Sequence, residues 1–131
     1  MRIPLIMATA LVLGAVGSTG GCSVDTASPA RAAERFHAAL SAHQETAACA
    51  LLTRKTAEGL PHSGQSCADA LRELGLGPGG PATSVSVWGD DAQVRLAGDT
   101  LFLHRFTDGW RVKAAGCRPV RDLPYTCEVD D

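Results

Sequence analysis

The sequence predicts an α+β fold: three helices in the first half of the domain, packed on a curled antiparallel sheet of about four strands and stapled by two disulfides. Two observations carry that expectation. The spacing of apolar residues changes from a helical period to a period of two across Gly77-Pro78-Gly79-Gly80-Pro81. The period-two runs are then separated by connections of only a few residues, which favours neighbours in sequence pairing antiparallel.

Each element follows from local chemistry. Ser28-Pro29 reads as a helix start, with Ser28 capping a free N–H and Pro29 at the first helical position. Ala33, Phe36 and Leu40 then recur at helical spacing, so an amphipathic helix runs to about Ala42. A second helix is expected from Glu45 to Leu52, burying Ala48, Leu51 and Leu52, with Arg54 and Lys55 beyond its end, where cations suit the helix dipole. Residues 59 to 64 form a loop. Ser66-Cys67-Ala68-Asp69 has the form of a capping box ahead of Ala70, Leu71 and Leu74, and Gly75 ends that third helix with Leu76 packing back on Leu71.

Beyond the glycine and proline break, Val85 and Val87 alternate with Ser84, Ser86 and Trp88. Ala92, Val94 and Leu96 alternate in the same way, and Gly89-Asp90 and Gly98-Asp99 supply the turns. A third strand spans Thr100 to Phe106 and a fourth Trp110 to Ala115, joined by Thr107-Asp108-Gly109. Pro119 and Pro124 exclude the segment from Cys117 to Cys127 from a central strand, leaving an edge excursion.

The amino end has the parts of an export signal: Arg2, an apolar run from Ile3 to Val16, and small residues up to Gly21. That run is shorter than the roughly 20 apolar residues that a spanning helix needs. Thr19-Gly20-Gly21-Cys22 resembles the bacterial lipobox, in which a cysteine after small residues receives diacylglycerol, although Thr19 stands where leucine is usual. The resemblance implies a signal peptide over residues 1–21 and lipid on Cys22 that holds the protein at the outer face of the cytoplasmic membrane; the small and polar residues that follow suit a tether over 22–28, and the length suits a single domain over 29–131. The alternative is an ordinary secretory signal that leaves Cys22 a free thiol.

Without residues 1–21 the chain keeps 11 of its 12 Lys and Arg, because only Arg2 is lost, against all 14 Asp and Glu. The balance is mildly acidic and the cations are scattered, which argues against a nucleic-acid partner. Four further cysteines, Cys49, Cys67, Cys117 and Cys127, suit disulfides in an exported chain. Sequence order favours Cys49 with Cys67 and Cys117 with Cys127, each closing a short loop. A metal site is not expected, because no C-x-x-C pair exists. No cofactor motif is present, since residues 77–80 lack the lysine of a phosphate loop and no serine has a G-x-S-x-G context.

The order of elements resembles the cone-shaped nuclear transport factor 2-like superfamily, also called cystatin-like, and the chain is similar to small actinobacterial lipoproteins with that pattern. The resemblance rests on Glu34-Arg35-Phe36, Ala48-Cys49-Ala50-Leu51-Leu52, Cys67-Ala68-Asp69-Ala70-Leu71, and Gly109-Trp110-Arg111-Val112 with Ala115-Gly116-Cys117. It implies that His104, on the strand face of Phe102 and Phe106, sits at the mouth of a cone, where that superfamily places acid–base groups. No acid shares that face of its strand, so a partner is expected from the helical half, Glu34 or Asp69. The plainer reading is a half-buried strand histidine bonded to backbone.

His37 and His43 lie six apart on one helix and do not share a face, and His62 falls in a loop. Arg95, Arg105, Arg111 and Lys113 lie on adjacent strands and form either a basic binding stripe or a solvated face. Trp88 and Trp110 either line a ligand cavity or belong to the core. The expected function is a non-enzymatic, membrane-anchored module of the cell envelope that binds a protein or a small apolar ligand. The alternative is a small isomerase or dehydratase with His104 as general base.

Overall fold

A computed structural model describes residues 23–131 of the chain. The expected signal peptide over residues 1–21 and the expected lipid-bearing Cys22 therefore lie outside the described residues. Four helices precede five strands: α1 (Ala27–Ser41), α2 (Glu45–Ala50), α3 (Arg54–Gly59), α4 (Cys67–Leu74), β1 (Ala82–Trp88), β2 (Asp91–Leu96), β3 (Thr100–Phe106), β4 (Gly109–Val120) and β5 (Leu123–Val129). The strands form one antiparallel meander in the order β1-β2-β3-β4-β5. Among the described residues no helix is long and apolar enough to cross a membrane.

Helix α1 begins at Ala27, before the expected Ser28-Pro29 start. Asp25, not Ser28, meets the free amides: its Oδ1 accepts from the N–H groups of Ala27 and Ser28 at 3.0 and 3.1 Å. The Ser28 hydroxyl, foremost, and those amides hold the Asp25 carboxyl below its ordinary range. Ser66 accepts from the Asp69 amide at 3.0 Å as the capping box requires, and α4 ends at Gly75 in the left-handed conformation.

Two expectations need correction. The second helix stops at Ala50, because residues 51–53 leave it to bond with β4: Thr53 N–H donates to Val112 O and Val112 N–H to Leu51 O, both at 2.8 Å. Thr53 then caps a further helix, α3, which opens on Arg54 and Lys55. Those cations stand at a helix start, against the dipole, and Arg54 is matched by Glu58 one turn on at 2.8 Å. The sheet has five strands rather than about four, since the segment with Pro119 and Pro124 closes as a hairpin of β4 and β5. Cys117 and Cys127 sit opposite each other there and are joined; the other disulfide links Cys49 of α2 to Cys67 of α4.

One sheet face carries Ala92, Val94, Leu96, Leu101, Leu103 and Val112 into a core completed by Phe36, Leu52 and Leu71 from the helical half. Strand alternation then puts Phe102, His104 and Phe106 on the other face. Register fixes their neighbours: Trp88 pairs with Asp91, Asp91 with His104 and His104 with Arg111.

Candidate functional site

On the face of the sheet away from the core, large apolar residues stay accessible. Trp88 is 52% exposed and Phe106 43%. Between them Phe102 meets Tyr125 edge-on at 5.3 Å, and His104 meets Phe106 edge-on at 4.8 Å. Two hollows lie along this face. One, of about 370 Å³, is bordered by Trp88, Phe102, Ala114 and Tyr125. The second, of about 490 Å³, lies between His104 and Phe106 on one side and Thr53, Arg54, Lys55 and Glu58 on the other. Lys113 and Asp131 border both, so the hollows form one groove.

Helix α3 stands at the groove because Thr56, fully buried, donates its hydroxyl to Lys113 O at 2.8 Å. The opposite wall is the β5 segment with Pro124 and Tyr125. In the floor, His104 Nδ1 lies 2.8 Å from Asp91 Oδ1, both groups about two-fifths exposed. The carboxylate is an acceptor, so Nδ1 carries the proton toward it. Nε2 has no hydrogen-bond partner among the described residues, so the ring presents Nε2 to the groove as an acceptor. The acid therefore comes from the neighbouring strand, not from the helical half: Glu34 Oε1 accepts from the Ala82 amide, and Asp69 pairs with Arg72. Counting back from the Gly98-Asp99 turn would have aligned Asp91 with His104.

The four cations of the expected stripe do not all share one face. Arg105 falls on the side of Leu101 and Leu103, bonded to Asp90 at 2.9 Å and stacked 5.5 Å above Trp110. Arg111 reaches Asp108 at 2.7 Å and Ala50 O at 2.8 Å, and its guanidinium holds the Asp108 carboxyl below the usual range. Arg95 reaches the Tyr125 hydroxyl at 3.2 Å, and Lys113 stands 3.9 Å from Asp131. The tryptophans divide: Trp110 packs on the core, while Trp88 stands at the groove.

A second histidine–carboxylate pair has no signal in the local sequence pattern. His37 Nε2 donates to Asp99 Oδ2 at 2.6 Å, and both side chains are about 5% exposed. Asp99 also accepts from the amides of Thr100, Gly116 and Cys117 at 2.7, 3.1 and 3.2 Å. Gly116, at φ +65°, turns the chain so that two successive amides meet one carboxylate. The residue-77-to-81 loop covers the pair so closely that a β-carbon on Gly79 would lie 2.5 Å from the imidazole Cγ. The arrangement ties α1, the β2–β3 turn and β4 together, and His37 Nδ1 is buried without a partner.

Among the described residues no three His, Cys, Asp or Glu side chains converge as a metal-binding set. No family model, curated protein or solved structure matches this chain.

Proposed function

We propose that this chain is a non-enzymatic binding domain of the cell envelope, anchored through lipid on Cys22, that takes a small apolar ligand in the groove of its open sheet face. The observation that carries the reading is the exposure of Trp88 and Phe106 at the two hollows. A solvated sheet face ordinarily alternates to polar residues, and accessible aromatic groups beside hollows of a few hundred Å³ mark ligand surfaces. The resemblance to the cone superfamily, with its curled sheet, places a ligand between helices and sheet instead. In this chain Phe36, Leu52, Leu71, Leu101 and Leu103 are buried there, which favours the outer face.

The binding claim is tested with a neutral fluorescent naphthalene probe. Saturable binding is expected, weakened about tenfold by Trp88→Ala, which removes one aromatic contact; a probe indifferent to Trp88 and Phe106 would sink the reading. The anchor is supported by the lipobox resemblance and by two disulfides, which fit an oxidising compartment. Mass spectrometry of the mature amino terminus should find Cys22 diacylated, and an unmodified cysteine removes the anchor.

The His104–Asp91 pair favours a second reading, acid–base catalysis with His104 as base and Asp91 orienting it. In that case purified protein turns over members of a panel of esters and cyclic ketones, and His104→Ala abolishes the rate while leaving folding intact. A silent panel, or turnover that survives the substitution, ends it.

A further inference from the structure

We propose that the groove is built for an apolar ligand with an anionic head, a single-chain carboxylate of the fatty-acid type, and that Asp131 holds the head's seat in the free protein. The inference rests on the binding reading above and adds the chemistry of the ligand.

Its basis is where the groove's charges stand. The Thr56 hydroxyl bond to Lys113 O fixes α3 against β4, which brings Lys55 and Lys113 to one place. Both ammonium groups face Asp131 Oδ2, Lys55 at 3.5 Å and Lys113 at 3.9 Å. Val129, fully buried and paired with Ala115, sets the chain two residues earlier, and Asp131 borders both hollows. A carboxylate thus already sits where the two apolar hollows meet.

The local charge fits the same occupant. Arg54, Lys55 and Lys113 face Glu58 and Asp131 around the larger hollow, three cations against two carboxylates, whereas the smaller hollow adds Asp91 and Asp130 and no further cation, so the anion's seat is confined to the larger one. Arg54 is taken by Glu58 at 2.8 Å, so the lysines are left for Asp131 or for a carboxylate from outside. An alkyl chain beyond that head would lie on Phe106 and His104 on one side and on Phe102, Tyr125 and Trp88 on the other. Lys55 and Lys113 are 77% and 44% exposed, so each contact is screened and its effect modest.

The test titrates decanoate and its uncharged analogue decanol into the full domain, the Asp131→Asn variant and the Lys55→Gln/Lys113→Gln double variant. Decanoate should bind Asp131→Asn about fivefold more tightly and the lysine variant about fivefold more weakly than the parent, with decanol constant within about twofold. If the two ligands follow each other in all three proteins, the anion seat is wrong and the apolar groove stands. If neither ligand binds any of them, the groove reading falls and this inference with it. Weaker decanoate binding to Asp131→Asn also overturns the proposal, since Asp131 would then be part of the site rather than its placeholder.

Discussion

Asp99→Ala lowers the unfolding free energy by about 4 kcal/mol, as expected for removing a buried carboxylate that several donors share. The carboxylate is the common acceptor for four donors, His37 Nε2 and the amides of Thr100, Gly116 and Cys117. Alanine leaves all four without it beneath the residue-77-to-81 loop, and each orphaned buried donor costs about 1–3 kcal/mol if nothing relaxes. Domains of this size are stable by only about 5–15 kcal/mol, so the variant stands near the threshold of folding. Asp99→Asn, which keeps one acceptor oxygen, should cost about half as much. Urea unfolding of the three proteins checks the order, and a loss under about 1 kcal/mol for alanine means the pair is no clamp.

Removal of the Cys49–Cys67 disulfide by paired alanines costs about 3 kcal/mol, the chain-entropy value for a loop of this length. The bond spans 18 residues and joins α2 to α4, which share no strand ladder. The Cys117–Cys127 bond closes only 10 residues, across a hairpin already held by backbone pairing, and its removal should cost less. Denaturant midpoints decide the ranking, and hydrogen exchange localises it. Amides of α4 should lose protection in the Cys49/Cys67 variant, while those of β3 keep theirs until global unfolding. The reverse ranking would mean that the hairpin depends on its cross-link more than on its ladder.

The meander was legible because its turns are written locally. Gly89-Asp90, Gly98-Asp99 and Thr107-Asp108-Gly109 punctuate runs whose alternation matches the observed core, Val94, Leu101, Leu103 and Val112 included. Helix α3 was not legible, because Arg54-Lys55-Thr56-Ala57-Glu58-Gly59 has no apolar stripe and starts on cations. It is held by the Thr53 cap and the Thr56 bond to Lys113 O, contacts the local sequence does not announce. Strand β5 looks like an edge excursion from sequence because Pro119 and Pro124 each remove a ladder donor, a loss that a terminal hairpin tolerates.

The site divides along the same line. His104 and its face followed from alternation alone, and the Asp91 contact was within reach of register counting. The His37–Asp99 pair, 62 residues apart, depends on how α1 crosses the sheet, and local pattern carries no signal for it. The stripe of Arg95, Arg105, Arg111 and Lys113 is interrupted for two reasons. Alternation sends Arg105 to the opposite side, and Asp108 takes Arg111.

The central claim is that the open sheet face receives the ligand, and amide chemical-shift mapping on titration with decanol tests it most directly. Shifts should concentrate at Trp88, Asp91, Phe102, His104, Phe106 and Lys113, saturate together, and leave the His37 and Asp99 amides in place. Shifts centred instead on the polar depression of about 440 Å³ beside Gly75, Asp99 and Gly116 would contradict it, as would a titration that moves no resonance.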